Sequence, residues 1–341
     1  MTYQEVMENA RKNFGGKCKA CPVCNGVACR NTIPGPGSKG VGDTAIRNYN
    51  AWQQIRLNMD TLYKQATVDM SLDLFGKKFK YPFFAGPVGA VQLHYSDAYD
   101  DVSYNEILTT ACAEEGIAAF TGDGTNPEVM KAAAKAIAKC NGSAVPTVKP
   151  WNIETIKEKM ALVMEAKPFA MAMDIDAAGL PFLKNLNPPA GSKSVEELAE
   201  IVKAAGIPFI VKGIMTAGGA LKAVEAGARA IIVSNHGGRV LDQCTATAEV
   251  LEDIVKAVSG KTKILVDGGI RTGTDIFKAL ALGADGVVIA RPFVTAVYGG
   301  GKEGVSLYIQ KIAGELEDAM RMTGALTLKD ITRDKVFVSG K

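Results

Sequence analysis

From about residue 81 onward, short apolar runs alternate with longer amphipathic stretches along the chain. The apolar runs are bounded by glycine, proline or polar residues, which is typical of strands buried on both faces of a parallel sheet. Eight such runs are present, at 82–85, 117–121, 145–149, 169–174, 209–212, 230–234, 264–267 and 286–290. The stretches between them have helical periodicity, as at 195–205, 218–225, 246–258 and 274–282. This alternation predicts an α/β protein with a TIM (β/α)8 barrel rather than an open doubly wound sheet.

The first eighty residues have a different character. Residues 35–42 are rich in glycine and proline and predict an irregular loop, residues 44–60 are more helix-like, and residues 69–75 predict a strand capping the bottom of the barrel. We therefore expect an N-terminal extension over 1–80 that packs on a barrel formed by 81–341. The segment 179–194 is unusually long between a strand and its helix, so it is either an active-site lid or an irregular excursion.

Composition adds few constraints. With 341 residues and 47% apolar content, the chain can bury the core of one barrel, which takes about 250 residues. The net charge of +3 is small and its basic residues are dispersed, which argues against a nucleic acid or an acidic membrane as partner. Neither a signal peptide nor an apolar run of about 20 residues is recognisable. We expect a cytoplasmic protein.

Four of the seven cysteines, Cys18, Cys21, Cys24 and Cys29, lie within twelve residues. An odd count in a large chain argues against a disulfide framework. The spacing resembles that of ferredoxin-type iron–sulfur ligands without being their usual pattern, and four thiolates could equally bind zinc. Free or redox-active thiols are the third interpretation, and the sequence leaves all three open.

Side chains with catalytic or ion-binding chemistry follow five successive predicted strands. Asp174 ends the fourth strand, Lys212 ends the fifth, His236 and Arg239 follow the sixth, Asp267 to Arg271 follow the seventh, and Arg291 follows the eighth. In a TIM barrel the active site lies at these carboxyl ends of the strands. Histidine titrates near neutral pH and arginine binds a carboxylate with a two-pronged fork. The pattern therefore predicts removal of a proton or hydride next to a substrate carboxylate.

The segment after the seventh strand predicts a phosphate site. Residues 268–273 form a glycine-rich turn before a helix, and Arg291 follows the next strand. Backbone N–H groups at a helix N-terminus, together with arginines, bind phosphate, and this is the usual phosphate site of the fold. A phosphorylated cofactor is therefore expected. Lys212 would either stabilise negative charge on a reduced flavin or only pair with a carboxylate.

These motifs resemble the FMN-dependent 2-hydroxy acid oxidases and dehydrogenases, a family that includes glycolate oxidase, lactate oxidase, flavocytochrome b2 and mandelate dehydrogenase. The resemblance is carried by 234–242, 266–271, 275–284 and Arg291-Pro292; it is strong over 205–330 and fainter from Asn48 to Asp174. It implies that the barrel binds FMN and oxidises a small 2-hydroxy acid, such as lactate, to the 2-oxo acid. It also implies a homotetramer.

The resemblance also assigns roles to individual residues. His236 is the expected catalytic base, Asp174 the carboxylate that orients it, and Arg239 the substrate-carboxylate ligand. Trp151 replaces a family tyrosine and is, with His236 and Arg239, an expected substrate contact. The expected FMN contacts are Pro87, Val88, Gly89, Thr121, Lys149, Lys212, Ser234, Asp267, Gly269, Arg271, Ala290 and Arg291.

The sequence departs from the family at four places. A second carboxylate-binding arginine, expected about seven residues past the aspartate, is missing, and Lys184 could replace it only as a point charge. Lys149 replaces a glutamine, Trp151 replaces a tyrosine, and the N-terminal active-site tyrosine has no counterpart. These departures keep two alternatives open: an FMN-dependent isomerase or NAD(P)H-linked reductase of a larger substrate, and a phosphate-binding barrel without redox chemistry. The electron acceptor (oxygen, quinone, NAD or protein) is also left open.

Overall fold

The structure of the protein is a computed structural model that describes residues 1–180, 183, 186, 187 and 190–338. Its helices are α1 Tyr3–Asn13, α2 Asp43–Gln53, α3 Val91–His94, α4 Asp101–Glu114, α5 Pro127–Lys139, α6 Ile153–Met164, α7 Val195–Ala205, α8 Ala217–Glu225, α9 Thr247–Val258, α10 Gly273–Ala281 and α11 Arg291–Met322. Its strands are β1 Ile55–Leu57, β2 Leu72–Leu74, β3 Lys77–Phe79, β4 Phe83–Ala85, β5 Phe120–Thr121, β6 Val145–Val148, β7 Met171–Asp174, β8 Phe209–Ile214, β9 Ala230–Val233, β10 Lys263–Val266, β11 Gly286–Ile289 and β12 Val336–Val338.

Strands β4 to β11 form one parallel sheet in the order β4-β11-β10-β9-β8-β7-β6-β5. The sheet closes on itself, because Ala85 of β4 bridges Ala119 just before β5 and donates its N–H to Ala118 O at 3.1 Å. The TIM barrel is thereby confirmed, with all eight predicted strands present. Each is buried along nearly its whole length, as strands covered on both faces must be.

Alternate residues of the barrel strands fill the interior. Phe84, Phe120, Ile210, Ile232 and Leu265 belong to one buried apolar cluster. The cluster also contains three side chains of the β2–β3 hairpin, Leu72, Leu74 and Phe79, so this antiparallel hairpin covers one end of the barrel. The predicted capping strand at 69–75 is therefore present, although it is shorter than expected. Functional side chains are left to the opposite end.

The N-terminal residues are attached to the barrel at several points. Directly after α1, Phe14 stacks on Tyr298 of α11 with ring centroids 4.8 Å apart. The helix predicted over 44–60 ends at Gln53, because β1 follows it and pairs antiparallel with β12 near the C-terminus. Residues 35–42 are irregular, as predicted.

The segment 179–194 connects β7 to α7. Leu180, Leu183 and Ala190 in it are buried, while Lys184 lies outside the described residues. Across the described ranges, the helices are too short or too polar to cross a membrane.

Candidate active site

A cavity of about 380 Å³ opens at the carboxyl ends of the barrel strands. It brings together predicted site residues from seven different strand ends. Those that line it are Pro87, Val88, Gly89, Lys149, Asp174, Lys212, His236, Arg239, Asp267, Gly269, Arg271, Ala290 and Arg291. Because these residues are separated by up to about two hundred positions in the sequence, the barrel closure is what assembles them.

His236 is paired with Asp176. Its Nδ1 lies 2.9 Å from Asp176 Oδ1, and both side chains are largely buried. Because a carboxylate only accepts hydrogen bonds, Nδ1 must carry the hydrogen and donate it to Asp176. In the neutral ring Nε2 is then the basic nitrogen. This arrangement holds the tautomer that a general base needs.

The prediction that Asp174 orients His236 is wrong. Asp174 ends β7, and its Oδ2 pairs with Lys149 Nζ. After β7 the chain turns through a short 3-10 segment, Ile175–Gly179, which carries Asp176 across to His236. Gly213, at the bulge in β8, makes room for it, because a Cβ at this position would lie 2.6 Å from Asp176 Cβ. The turn therefore places Asp176, rather than the expected Asp174, beside His236.

Burial and charge keep His236 neutral. Burial lowers the pKa of His236, and the nearby Lys212 ammonium lowers it further, which outweighs the opposing effect of Asp176. Burial alone would raise the pKa of Asp176, but Lys212 and His236 hold it below its usual range. A neutral imidazole beside an ionised carboxylate is the resting state required of a proton acceptor.

Lys212 lies between two carboxylates. Its Nζ is 3.9 Å from Asp176 Oδ2, 3.7 Å from Asp267 Oδ2 and 3.5 Å from His236 Nδ1. Since Nδ1 carries a hydrogen, the last contact is electrostatic rather than a hydrogen bond. Burial lowers the pKa of Lys212, but Asp176 and Asp267 outweigh burial and raise it overall. Lys212 is therefore a fixed cation in the cavity wall.

Arg239 is held by an N-terminal strap, which we define as residues 35–42. Its Nη1 donates to Gly35 O at 2.9 Å and to Gly37 O at 2.7 Å. The strap is fixed in turn by Lys39, whose N–H donates to Gly238 O at 2.9 Å. Burial lowers the pKa of Arg239 to about 10, which leaves the guanidinium charged at neutral pH.

The predicted phosphate-binding arginines also contact the N-terminal region. Arg291 donates to Pro36 O at 3.2 Å and to Gly237 O at 2.8 Å, and Arg271 donates to Cys24 O at 2.8 Å. Beside them, Gly269 has a φ of +82°, and a Cβ there would lie 2.3 Å from Asn48 O. Only glycine fits where α2 packs this closely on the loop.

Three of the residues predicted to contact substrate or FMN do not line the cavity. Trp151 is buried and donates its Nε1–H to Asp123 Oδ2 at 2.8 Å, so its predicted contact with substrate has no geometric support. Ser234 accepts from the His236 N–H at 3.1 Å and thus supports the turn that carries His236. Thr121 is buried one residue before Gly122, which does line the cavity.

Sequence reasoning missed Asp176, which pairs with His236, and the cavity-lining residues Asp123 and His94. Asp176 could not be separated from Asp174 by any sequence pattern. Asp123 accepts from Trp151, from the Lys149 N–H and from Lys159 Nζ, and it organises the loop after β5. A signal did exist for the third, His94, because it is the second of only two histidines and follows the first barrel strand.

The clustered cysteines have free thiols in the structure. Within the described ranges, no group of three or more His, Cys, Asp or Glu side chains is arranged to hold a metal ion. Binding of iron–sulfur or zinc by Cys18, Cys21, Cys24 and Cys29 therefore has no support. Burial raises the pKa of Cys18 to about 11, so this thiol is protonated at neutral pH.

The cavity region contains polar groups that suit a flavin nucleotide. Thr147 Oγ1, Asp174 Oδ1 and Asp267 Oδ1 are buried and have no hydrogen-bond partner in the part of the chain that is described. A buried polar group without a partner costs about 1–3 kcal/mol, so these atoms favour a polar ligand. FMN has ring N–H groups, ribityl hydroxyls and an anionic phosphate, which match these acceptors and the cations Arg271, Arg291 and Lys212.

Comparisons with known proteins agree with this geometry. The family model of the FMN-dependent dehydrogenases matches residues 36–181 and 182–338. Peroxisomal (S)-2-hydroxyacid oxidase GLO3 of Arabidopsis thaliana is 31% identical over 86% of this chain and 88% of its own length. Glycolate oxidase of Spinacia oleracea is 31% identical over 86% and 87%.

Solved structures show the same fold. A lactate oxidase of Pediococcus acidilactici superposes with a TM-score of 0.82 at 23% identity, covering 100% of this chain and 95% of that one. A mandelate oxidase superposes with a TM-score of 0.79 at 24% identity, covering 97% of each chain. Since the family model matches residues 36–338 and relatives above 30% identity cover 86% of the chain, the chain belongs to the FMN-dependent dehydrogenase family and is an oxidoreductase of the 2-hydroxy acid oxidase type.

Proposed function

We propose that this protein oxidises a 2-hydroxy acid to the corresponding 2-oxo acid, with His236 as the base. The observation that carries the proposal is the 2.9 Å contact between His236 Nδ1 and Asp176, which leaves Nε2 as the basic nitrogen. Arg239 lines the same cavity as this base and the phosphate-site arginines. A proton acceptor, a carboxylate ligand and a nucleotide site thus share one enclosure.

Each residue has a defined task in this reaction. Arg239 binds the substrate carboxylate, and His236 accepts a proton either from the substrate hydroxyl or from its α-carbon. Asp176 stabilises the imidazolium that forms, because an ionised carboxylate at hydrogen-bond distance lowers the energy of the charged ring. FMN, when bound, supplies the two-electron acceptor. Arg271 and Arg291 would hold its phosphate, and Lys212 would place positive charge beside its ring.

The cavity also suggests which substrates fit. Leu93, Val129, Leu180 and Leu183 line it together with the charged groups. The arginine that relatives use as a second carboxylate ligand is missing from the segment after β7. We therefore propose monocarboxylates with an apolar side chain as better substrates than dicarboxylates.

The decisive experiment is anaerobic mixing of the purified yellow protein with glycolate, lactate, longer 2-hydroxy acids, malate and NADH. Bleaching of the flavin by a 2-hydroxy monocarboxylate is expected, and His236→Ala should keep its FMN while flavin reduction falls at least about 10²-fold. Bleaching by NADH alone would instead favour the reductase, and a flavin that no hydroxy acid reduces would refute the proposal.

FMN retention tests the phosphate site separately. Arg291→Ala should weaken FMN binding by roughly tenfold to a hundredfold, because a hydrogen bond to a charged group contributes about 1.5–3 kcal/mol. Arg47→Ala is the matched control, since Arg47 is exposed, forms an ion pair with Glu249 and does not line the cavity. Equilibrium dialysis of FMN against both variants measures the difference. Equal FMN affinities in the two variants would show that Arg291 does not bind the phosphate.

We further propose a homotetramer located in the cytoplasm, as the family resemblance and the sequence suggest. Light scattering coupled to size-exclusion chromatography would give a mass of four chains if the assembly is correct. A monomeric mass at micromolar concentration would refute it.

A further inference from the structure

His94 has no role in the reaction as described, yet it contacts Arg239, the expected ligand of the substrate carboxylate. It lines the cavity and its side chain is buried, with 5% of the residue exposed. Burial lowers the pKa of His94 to about 3, and the positive charges of Arg239 and Lys149 act in the same direction. The ring is therefore neutral at neutral pH.

The hydrogen bond from Gly35 identifies which ring nitrogen of His94 carries a hydrogen. The N–H of Gly35 donates to His94 Nδ1 at 3.0 Å, so Nδ1 is an acceptor without a hydrogen of its own. In the neutral ring the hydrogen then lies on Nε2. His94 is thus a ring in one tautomer, fixed by the backbone of the N-terminal strap.

The same ring contacts the substrate-binding arginine. Arg239 Nη2 lies 3.4 Å from each ring nitrogen of His94. Both hydrogens of Arg239 Nη1 are used by the carbonyl oxygens of Gly35 and Gly37, at 2.9 and 2.7 Å. The guanidinium is thereby held at Nη1 by the strap and contacted at Nη2 by His94, while Arg239 also lines the cavity.

We propose that His94 is a positioning residue for substrate binding, which joins Arg239 and the N-terminal strap into one unit with a fixed guanidinium. This inference rests on the proposed function, because Arg239 is taken as the carboxylate ligand. A single arginine gives weaker orientation than two, so a rigid one is needed where the second is absent. Neutrality is essential as well, because a protonated His94 would repel Arg239 and lose the acceptor for Gly35.

The proposal predicts a particular kinetic pattern. His94→Leu removes the acceptor at similar volume, so KM for the best 2-hydroxy acid should rise about tenfold while kcat changes less than about threefold. His94→Gln keeps a neutral acceptor for the Gly35 N–H and should restore most of the affinity. FMN affinity should stay at the parent value in both variants. Gln92→Leu is the matched control, because Gln92 lies on the same short helix, is exposed and does not line the cavity.

A second measurement needs only the parent holoenzyme. Titration with a 2-oxo acid, followed by hydrogen exchange, should slow exchange of the amides of residues 35–42, because the strap and Arg239 form one unit. This keeps the proposal testable if His94→Leu does not fold.

The outcomes distinguish a failure of the proposed function from a failure of the positioning role of His94. If no hydroxy acid reduces the parent flavin, the proposed function fails. If the parent is reduced but His94→Leu keeps its KM, or His94→Gln is no better than His94→Leu, the positioning role is wrong. Unchanged strap exchange with bound 2-oxo acid would also overturn it.

Discussion

His236 occupies a backbone conformation that histidine seldom adopts. Its φ is +55°, and Gly237 and Gly238 follow with φ of +64° and +79°. A non-glycine residue in the left-handed region costs roughly 1–2 kcal/mol, so the surroundings must hold it there. They do so through Asn235, whose amide exchanges two hydrogen bonds with the Asn48 amide at 2.7 and 2.9 Å. The strained turn directs the imidazole toward Asp176.

The pairing of His236 with Asp176 instead of Asp174 gives the first prediction. Asp176→Asn should slow flavin reduction by a 2-hydroxy acid at least about 10²-fold, because the amide neither stabilises the imidazolium nor enforces the tautomer. Asp174→Asn is the matched control and should lose much less, since Asp174 pairs with Lys149 rather than His236. Stopped-flow flavin reduction measures both. An Asp174→Asn variant as slow as Asp176→Asn would contradict this pairing.

The pKa of His236 gives a second prediction. The base works only when neutral, so flavin reduction should be constant at high pH and fall as pH drops through the pKa of His236. Because that pKa is lowered, the inflection should lie below the ordinary histidine value of about 6.5. Lys212→Met removes a charge that lowers this pKa, so its inflection should move to higher pH. A pH profile of the reduction rate constant is the measurement, and an unmoved inflection would refute the assignment.

The same shift links pH to folding. Since the unfolded chain binds a proton at His236 more readily than the folded one, this residue's contribution to stability is complete above about pH 6.5 and decreases as pH falls.

At the residue scale, the sequence sufficed to place His236, Arg239, Arg271 and Arg291 at the cavity, because each follows an apolar strand of clear length. It did not suffice for Asp174. The exact residue at which β7 ends decides which carboxylate faces the base, and strand ends are the least certain part of any pattern. The predicted contact between Trp151 and substrate failed for a different reason. The indole N–H of Trp151 is used by Asp123, which comes from another strand end.

At the scale of elements, the bulge in β8 determines where the pair of His236 and Asp176 forms. The register between β8 and β9 shifts between Lys212 and Ile214, so that Gly213 lies outside the regular pairing. Gly213 has a φ of +105°, which side chains rarely adopt. This single bulge thus sets the positions of both Lys212, which precedes Gly213, and Asp176, which packs against Gly213.

Gly213→Ala should disturb both stability and catalysis. The new Cβ would lie 2.6 Å from Asp176 Cβ, and the positive φ costs an alanine roughly 1–3 kcal/mol. We expect a lower urea midpoint together with slower flavin reduction. Gly218→Ala in α8 is the control, because its Cβ meets nothing within 4 Å and alanine favours a helix. Equal stability of the two variants would show that the bulge tolerates a side chain.

The elements themselves were largely predictable. Strands buried on both faces leave an uninterrupted apolar signal, and helix α7 has its predicted bounds, Val195–Ala205, because Ser194 and Glu197 form a capping box at its start. The helix predicted over 44–60 was too long. Its continuation as β1 depends on pairing with β12, nearly three hundred residues away, and no local pattern carries that information.

At the scale of the whole molecule, the N-terminal region contacts the candidate active site as well as the outside of the barrel. The strap provides carbonyl oxygens to Arg239 and Arg291, and Cys24 provides one to Arg271. The sequence predicted an irregular loop here, but its contacts could not be predicted, because backbone carbonyls leave no signature in side-chain chemistry. Three barrel arginines therefore depend on a segment that lies far from them in the chain.

Asp242 anchors this segment to the barrel. Its carboxylate accepts from the Gly42 N–H and the Thr44 N–H, each at 3.2 Å, where the strap joins α2. Asp242→Asn keeps the shape but removes the charge that strengthens both bonds, and hydrogen bonds to a charged group contribute about 1.5–3 kcal/mol each. We expect faster amide exchange over residues 35–44 and a higher KM for the hydroxy acid, since Arg239 loses its fixed support.

The location of the change decides the interpretation. Exchange should accelerate in the strap and not in the barrel strands, whose amides report global unfolding. Asp253→Asn is the charge-matched control, because Asp253 is exposed on α9. A uniform acceleration across the barrel would mean that Asp242 stabilises the fold as a whole. If the strap exchanges faster while KM stays at the parent value, Arg239 is positioned without the strap, and the link between the N-terminal region and substrate binding is broken.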